Sequence, residues 1–219
     1  MLICAKIKNN FIPLPKHLEI QQPSFKIVLW HITEPLSFFE NKMTNWGDDY
    51  AHIKAENRKL QYAASRYATS LLTFDTDASQ IKKDEYRRPF LQNPNQHISI
   101  SHDGNWAASA IGNEKIGVDV FCIQDKVLKI AHKFLSPHEQ EILATKINST
   151  QDKTIYYSIL WSIKESVFKW MRLQNIEFIT EIIITELNEN HALINTKKHG
   201  VISVNYIIEN NICLSWVTK

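Results

Sequence analysis

The residues from Trp161 to Trp170 place three side chains of different chemistry along one side of a predicted helix. Trp161, Glu165 and Lys169 are spaced four apart, so an aromatic ring, a carboxylate and an ammonium group share one stripe two turns long. Apolar residues recur at three- and four-residue spacing on another face, which the helix can bury. Glu followed four residues later by Lys is also a common ion pair on exposed helices, so the spacing alone leaves a functional stripe and a surface pair open.

Asp119 is a second candidate, because it lies in the middle of a predicted strand. Its neighbours Val118 and Val120 belong to the apolar face of that strand, and Asp119 shares the other face with Gly117 and Phe121. Asp is disfavoured within strands, and Gly117 leaves space for another part of the molecule to approach the backbone. A residue that contradicts local propensity indicates either a functional site or a buried carboxylate whose oxygens accept backbone hydrogen bonds.

Basic residues in the first half could contact an anion. Arg58 and Arg66 are eight residues apart on a predicted helix, so they share a face and lie about 12 Å apart along its axis. Two planar guanidinium groups on one face are suited to hold a phosphate. Arg88 lies in a basic segment, residues 80–95, that we predict to be a loop, and His102 at a hairpin tip is suited to bind a phosphate or act as a base. For each of these residues a solvated or structural role is the competing interpretation.

The apolar pattern predicts helices and strands in both halves. Helical spacing covers residues 48–72, 124–135 and 152–171, and a further helix follows the capping sequence Ser136-Pro137-His138-Glu139. Short β-branched runs between turn residues predict strands at 25–32, 97–101, 106–111, 115–121, 178–184, 192–195, 201–208 and 212–217. We expect the three strands between residues 97 and 121 to form a meander. We expect the first forty residues to be irregular apart from their one strand.

Length and composition favour a globular protein over a membrane protein or a nucleic-acid-binding one. The chain has 219 residues, 44% of them hydrophobic, enough to bury the core of one large domain or two small ones. A net charge of +2 gives no strong field for nucleic acid, and no stretch reaches the roughly 18 apolar residues of a membrane helix. Three widely spaced cysteines without ligand spacing, and an N-terminus without a leader pattern, predict a cytoplasmic protein.

Three motifs in a fixed order carry a resemblance to a known family. They are Ile98-Ser99-Ile100-Ser101-His102, Ile116-Gly117-Val118-Asp119-Val120 and Trp161-Ser162-Ile163-Lys164-Glu165-Ser166-Val167-Phe168-Lys169. In this order and spacing the sequence resembles the 4′-phosphopantetheinyl transferase superfamily, and within it the single-chain Sfp type. The resemblance spans the chain from the helix near Arg58 to Lys169.

The resemblance implies both a fold and a reaction. The fold is α+β, with two similar α/β subdomains related by a pseudo-twofold axis and a ligand cleft between them, and we place the halves at residues 1–112 and 113–219. The implied reaction transfers the phosphopantetheine arm of coenzyme A to a serine of an apo-acyl or peptidyl carrier protein, with Mg²⁺ as cofactor and 3′,5′-ADP as product. Because a single-chain pseudodimer has no need to oligomerise, we expect a monomer.

The resemblance also implies a metal site in the second half. By position, Asp119 and Glu165 are ligands of Mg²⁺, and Lys169 contacts the phosphates of coenzyme A. Such a set is chemically sensible, because Mg²⁺ prefers oxygen ligands, keeps several waters and neutralises charge that develops on phosphate oxygens. The proton of the serine nucleophile passes either to Glu165 or to a metal-bound water, and the sequence leaves both open.

A nucleotide site in the first half is implied in the same way. Ser101 and His102 match the Ser-His pair that contacts the nucleotide in this family, with His102 on the side of the 3′-phosphate. Arg88, followed by Pro, stands where the family usually has Gly-Lys-Pro. Arg58 and Arg66 match the basic residues of the N-terminal helix.

Departures from the family pattern suggest an alternative function. The family commonly has a second acidic ligand two residues after the Asp, where this chain has Phe121, which cannot bind Mg²⁺. Arg87 replaces the Gly before the basic residue, and Ser99 replaces an Asn that is often present. The alternative to a transferase is therefore a degenerate protein that binds coenzyme A or a carrier protein without transferring the arm.

Overall fold

The computed structural model describes residues 17–218, apart from the side chains of His17 and Asp48, and it has the α+β architecture expected from the sequence. The chain divides into two compact units at the boundary between Glu114 and Lys115. Each unit has an antiparallel sheet, helices and a buried apolar core of its own. The pseudo-twofold axis, the cleft and the roles given to residues 1–112 and 113–219 stay predictions.

The first unit is built on a four-stranded antiparallel sheet. The strands of the first unit are β1 (His17–Gln21), β2 (Phe25–His31), β3 (Ile81–Lys83), β4 (Pro89–Leu91), β5 (His97–Asp103) and β6 (Trp106–Gly112). The large sheet has the order β1-β2-β6-β5, and β3 and β4 form a separate hairpin. The prediction of a loop over residues 80–95 is therefore wrong for residues 81–83 and 89–91, which form β3 and β4. The Asp84 side chain closes its turn by accepting hydrogen bonds from the N–H groups of Tyr86 and Arg88 at 2.9 and 2.8 Å.

The helices of the first unit include two that are separated by a break, which the sequence pattern does not predict. They are α1 (Leu36–Lys42), α2 (Gly47–Ala51) and α3 (Glu56–Thr73). The single helix predicted over residues 48–72 is wrong at residues 52–55, where Ile53 N–H bonds to the Tyr50 carbonyl and the Ile53 side chain packs against the core. Helix α3 packs against β2 and β6 through alanines, which allow a close approach. Strand β1 and helix α1 also correct the expectation of irregular structure, and residues 1–16 lie outside the described part.

The second unit contains a five-stranded antiparallel sheet. Its strands are β7 (Ile116–Cys122), β8 (Ile182–Leu187), β9 (His191–Thr196), β10 (Gly200–Glu209) and β11 (Ile212–Thr218), in the order β7-β11-β10-β9-β8. Strand β7 therefore pairs with β11, and the predicted meander of three consecutive strands is wrong. The reason is that β6 is paired with β2 on one side and β5 on the other, so it has no edge left for β7.

One long helix spans the sheet of the second unit. The helices are α4 (Lys126–Ile130), α5 (Pro137–Ala144), α6 (Thr150–Met171) and α7 (Phe178–Glu181). The predicted capping box at Ser136 is confirmed, and α6 corresponds closely to the predicted helix. The predicted helix over 124–135 is shorter, because its last part is a 3₁₀ turn, Ala131–Lys133. Residues 178–181 form a helical turn and not a strand, since Glu181 N–H bonds to the Glu177 carbonyl.

Helix α6 supplies the centre of the second core. It packs against β7 and β11, and its wholly buried side chains include Ile163 and Val167. Between residues 17 and 218, we find no helix with the length and apolar character needed to cross a lipid bilayer.

Candidate functional site

Helix α6 crosses strand β7 directly over Gly117. A Cβ atom at this position would lie 2.0 Å from the Ser166 carbonyl oxygen and 2.8 Å from the Trp170 backbone nitrogen. Because real Cβ atoms do not approach other atoms so closely, only glycine fits, and the predicted close approach at Gly117 is confirmed. Asp119 lies two residues farther along the same strand face, so this contact brings its carboxylate to the side of the helix.

Asp119 and Lys169 form an ion pair across this crossing. Lys169 Nζ donates to Asp119 Oδ1 at 2.8 Å and to the Val118 carbonyl oxygen at 3.2 Å. The Asp119 side chain is 7% exposed and the Lys169 side chain 26%. Lys169 thus pairs with a carboxylate 50 positions earlier in the chain, and its ammonium group lies between helix and strand.

Glu165 is the carboxylate on the helix side of the same group. Burial, and then the negative charge of Asp119, raise the pKa of Glu165 to about 7, while the Lys169 ammonium acts in the opposite direction. The influence of Asp119 on Glu165 means that the two carboxylates interact electrostatically. The Lys169 ammonium acts on both of them.

The two carboxylates fit a Mg²⁺ ion as ligands. Mg²⁺ is usually held by one or two carboxylates and keeps several waters, so Asp119 and Glu165 are a sufficient protein ligand set. A dication would also relieve the repulsion that raises the pKa of Glu165. In the described part of the chain, no group of three or more His, Cys, Asp or Glu side chains is placed to hold a metal.

Phe121 belongs to an aromatic cluster beside this site. Its ring centroid lies 6.3 Å from that of Trp161, which also packs against Phe134 at 5.1 Å. Phe121 is 6% exposed, and the ammonium nitrogen of Lys126 lies 5.0 Å from its ring centre. Trp161 is therefore partly buried against the second core, although its sequence spacing predicts a place on the charged stripe.

Lys164 is a buried residue next to Glu165 whose role the sequence reasoning missed. Its side chain is 0% exposed and forms an ion pair with Glu139 at 2.8 Å. The ammonium group also donates to the carbonyl oxygens of Phe134 and Phe178 at 2.5 and 3.0 Å. Glu139 in turn accepts from the Ile184 N–H at 2.9 Å. Burial lowers the pKa of Lys164, and the charge of Glu139 opposes this change.

Helical spacing contains a signal for this burial. Lys164 lies four residues after Leu160 and three before Val167, both of which are core residues. Because residues three and four apart share a helix face, Lys164 had to lie on the buried side of α6. Its three partners come from other elements, and they fix the rotation of α6 that presents Glu165 to Asp119.

The predicted basic residues of α3 have different environments. Arg58 is exposed at the start of the helix, whereas Arg66 is 5% exposed and its guanidinium carbon lies 3.6 Å from the centre of the Tyr62 ring. Burial lowers the pKa of Arg66, with the charge of Asp49 among the effects that oppose it. Asp49 forms an ion pair with Lys83 at 2.6 Å, which lowers the pKa of that carboxyl.

The other first-unit candidates lie on β5 and on the β3–β4 hairpin. Ser101 is buried and His102 is exposed, since successive side chains of a strand point to opposite faces. Arg88 Nε lies 3.9 Å from Asp84 Oδ2, and its guanidinium carbon lies 4.7 Å from the centre of the Tyr86 ring. Within the second unit the structure brings Asp119, Glu165 and Lys169 together, whereas contacts of the first-unit residues with a nucleotide stay predictions.

Comparison with known proteins gives a match for most of the second unit. Residues 115–215 match the family model of the 4′-phosphopantetheinyl transferase superfamily, and this segment contains Asp119, Glu165 and Lys169. The recognition of this superfamily from the sequence motifs is confirmed, and the similarity extends to relatives from Bacillus, among them Sfp.

Individual relatives match over part of their length. The 4′-phosphopantetheinyl transferase gsp of Aneurinibacillus migulanus is 30% identical over 122 residues, which cover 55% of this chain and 50% of that protein. The 4′-phosphopantetheinyl transferase Sfp of Bacillus subtilis strain 168 is 34% identical over 99 residues, or 44% of this chain and 43% of that protein. The matched region thus spans half or less of the length of these relatives.

Proposed function

We propose that this chain is a Mg²⁺-dependent 4′-phosphopantetheinyl transferase that moves the arm of coenzyme A to a serine hydroxyl of an acyl or peptidyl carrier protein. The observation that carries the proposal is the grouping of Asp119, Glu165 and Lys169 where α6 crosses β7. This grouping lies inside the segment that matches the family model. Relatives similar to the chain are named as enzymes of this activity.

The charged residues account for the chemistry of the transfer. The serine oxygen forms a bond to the phosphorus of the pantetheine phosphate, and the P–O bond to 3′,5′-ADP breaks. Glu165, a largely buried carboxylate beside Asp119, accepts the hydroxyl proton as general base. Lys169 neutralises a phosphate oxygen of the substrate. Asp119 and Glu165 would hold the Mg²⁺ ion, which when bound supplies positive charge to the phosphate oxygens.

First-unit residues are assigned to the nucleotide part of coenzyme A. Arg58 and His102 are exposed, so a ligand in solvent can reach both side chains. Arg88 is carried by the turn that Asp84 closes, which holds its backbone in place. Arg66 and Ser101 are buried and would contact a ligand only through a path that reaches into the unit.

The test is a direct transfer assay. Purified protein is incubated with coenzyme A, Mg²⁺ and each of several apo-carrier proteins, and mass spectrometry measures whether the carrier gains one phosphopantetheine arm. We expect a gain with at least one carrier, and absence of a gain with every carrier, despite measurable coenzyme A binding, would refute the transferase assignment.

The role of Glu165 is tested in the same assay. Glu165→Gln keeps the size of the side chain but removes the carboxylate, so transfer should be lost while the urea unfolding curve stays close to that of the parent protein. Glu141→Gln, at an exposed position on α5, is the matched control and should transfer at the parent rate. Retained transfer in the Glu165 variant would contradict its assignment as base and metal ligand.

A second candidate function is binding without transfer. Phe121 occupies the place of the acidic residue that the family commonly has there, and its ring is buried beside Trp161. This observation favours a protein that holds coenzyme A or a carrier but has lost the reaction. The transfer assay separates the two, because the degenerate protein would bind coenzyme A and leave every carrier unmodified.

A further inference from the structure

We propose that Lys169 is a built-in counter-ion of Asp119 that competes with the divalent cation until a phosphate draws the ammonium group away. The inference rests on the proposed function, because it takes Asp119 as a metal ligand and coenzyme A as the phosphate source. It adds a regulation of that site. The metal and the phosphate both favour the state of the protein in which Lys169 has left Asp119, so each strengthens the binding of the other.

The contacts of Lys169 place its ammonium group on the Asp119 oxygen for which it would compete with a metal ion. Its ammonium nitrogen lies 2.8 Å from Asp119 Oδ1 and 3.2 Å from the Val118 carbonyl oxygen, so it is held by strand β7 on two sides. The Asp119 side chain is 7% exposed, which leaves little solvent to weaken this pair. A divalent cation at Asp119 Oδ1 would meet a positive charge already bound to that atom.

Charge balance explains why the competition ends when a phosphate arrives. Around the crossing of α6 and β7, the ammonium group of Lys169 is paired with Asp119 and acts electrostatically on Glu165. Removing that ammonium leaves two carboxylates with a stronger attraction for a dication. A phosphate oxygen offers Lys169 a new charged acceptor, and 26% exposure of its side chain leaves it accessible from solvent.

The experiment measures metal binding without coenzyme A and without any carrier. Mn²⁺ is the probe, because it shares the preference of Mg²⁺ for carboxylate ligands and its free concentration can be followed by electron paramagnetic resonance. Lys169→Met should bind Mn²⁺ roughly tenfold more tightly than the parent protein, since a positive charge next to a metal ligand is removed. The same variant should bind coenzyme A more weakly in metal-free buffer, because it lacks the phosphate contact.

Two controls make the result specific. Lys153→Met removes one positive charge from an exposed position on the same helix, and it should leave Mn²⁺ affinity unchanged. Lys169→Arg keeps the charge, so its Mn²⁺ affinity should be close to that of the parent protein. Lys169→Gln replaces the Met variant if the latter does not fold.

The opposite directions of the two affinities distinguish this proposal from a structural role, which would weaken both. Unchanged or weaker Mn²⁺ binding by the folded Lys169 variant, or no Mn²⁺ binding by any form, would overturn it. The titration needs no transfer, so a negative transfer assay combined with tighter Mn²⁺ binding by Lys169→Met would refute the proposed enzyme and leave the counter-ion in place.

Discussion

At the scale of single residues, the site depends on how three charges share a half-buried space. Asp119 is bound to Lys169, and Glu165 has a pKa of about 7 because burial and Asp119 both disfavour its charged form. Each group therefore influences how the others would bind a metal or a phosphate. A substitution at one of them should be assessed by its effect on the others.

Gly117 is expected to tolerate no side chain. Gly117→Ala would place a methyl group 2.0 Å from the Ser166 carbonyl oxygen, so α6 and β7 must separate, and we expect a loss of roughly 3 kcal/mol in the free energy of unfolding. Urea denaturation measures this change. Gly112→Ala, where the closest atom would be 3.1 Å away, is the control and should cost only about 1 kcal/mol. Equal effects of the two substitutions would contradict the close crossing.

Phe121→Glu tests whether this position belongs to the metal site. A carboxylate two residues after Asp119, on the same strand face, should raise the affinity for Mn²⁺. It should also cost at least about 2 kcal/mol of stability, because it removes a buried ring beside Trp161. Phe121→Gln should show the stability loss without the gain in affinity. A metal titration that is unchanged in the Glu variant would place this position outside the site.

At the scale of elements, helix α6 combines a charged stripe, which carries the proposed site residues, with a buried cation on another side. Glu165 and Lys169 meet β7, while Lys164 reaches the other way to Glu139 at the start of α5 and to two backbone carbonyls. The second unit thus holds α6 from both sides. The rotation of the helix, and with it the position of Glu165, is determined by these polar contacts as well as by apolar packing.

Lys164→Met should therefore be strongly destabilising. It leaves Glu139 buried without its counter-ion, and breaking one partner of a buried ion pair costs about 3 to 5 kcal/mol. Urea denaturation of the single variant and of the double variant Glu139→Gln with Lys164→Met measures the effect. We expect the double variant to be more stable than the single one, because it buries no unpaired charge. If the double variant is the less stable of the two, the ion pair is not the cause.

At the scale of the whole chain, two cores predict two regions of local stability. Ile194→Ala in the second core and Val28→Ala in the first each remove buried methyl groups, the former at a cost of about 2 to 5 kcal/mol. Hydrogen exchange should then speed up mainly within residues 115–218 for the Ile194 variant and mainly within residues 17–114 for the Val28 variant. Uniform acceleration along the chain in either variant would show that the units open together.

The extent to which sequence predicts this structure differs between local and distant contacts. Helix α6, the Ser136 capping box and the strands of the second sheet, apart from the start of β8, follow from short-range spacing and turn residues. The pairing of β7 with β11 joins residues about a hundred positions apart, and strand periodicity does not specify a partner. The break between α2 and α3 contains neither Pro nor Gly, so local signals gave no reason to expect it.

For the candidate site, the sequence predicted which residues belong to it but not how they contact each other. Asp119 stood out because it contradicts strand propensity, and Glu165 and Lys169 stood out by spacing and motif order. The bond between Lys169 and Asp119 depends on how α6 crosses β7, which no local pattern encodes. The cytoplasmic location and the monomeric state expected from composition and family resemblance stay predictions.

The burial of Lys164 gives the second unit an internal chemical reporter. An amine-reactive reagent needs an accessible, deprotonated amine, and the Lys164 nitrogen is enclosed by a carboxylate and two carbonyl oxygens. Exposed lysines of the same chain offer an immediate reference in each digest. Acylation of Lys164 therefore marks molecules in which α6 has separated from its packing partners. The rate at which this one peptide becomes labelled then measures how often the unit that carries the proposed chemistry opens.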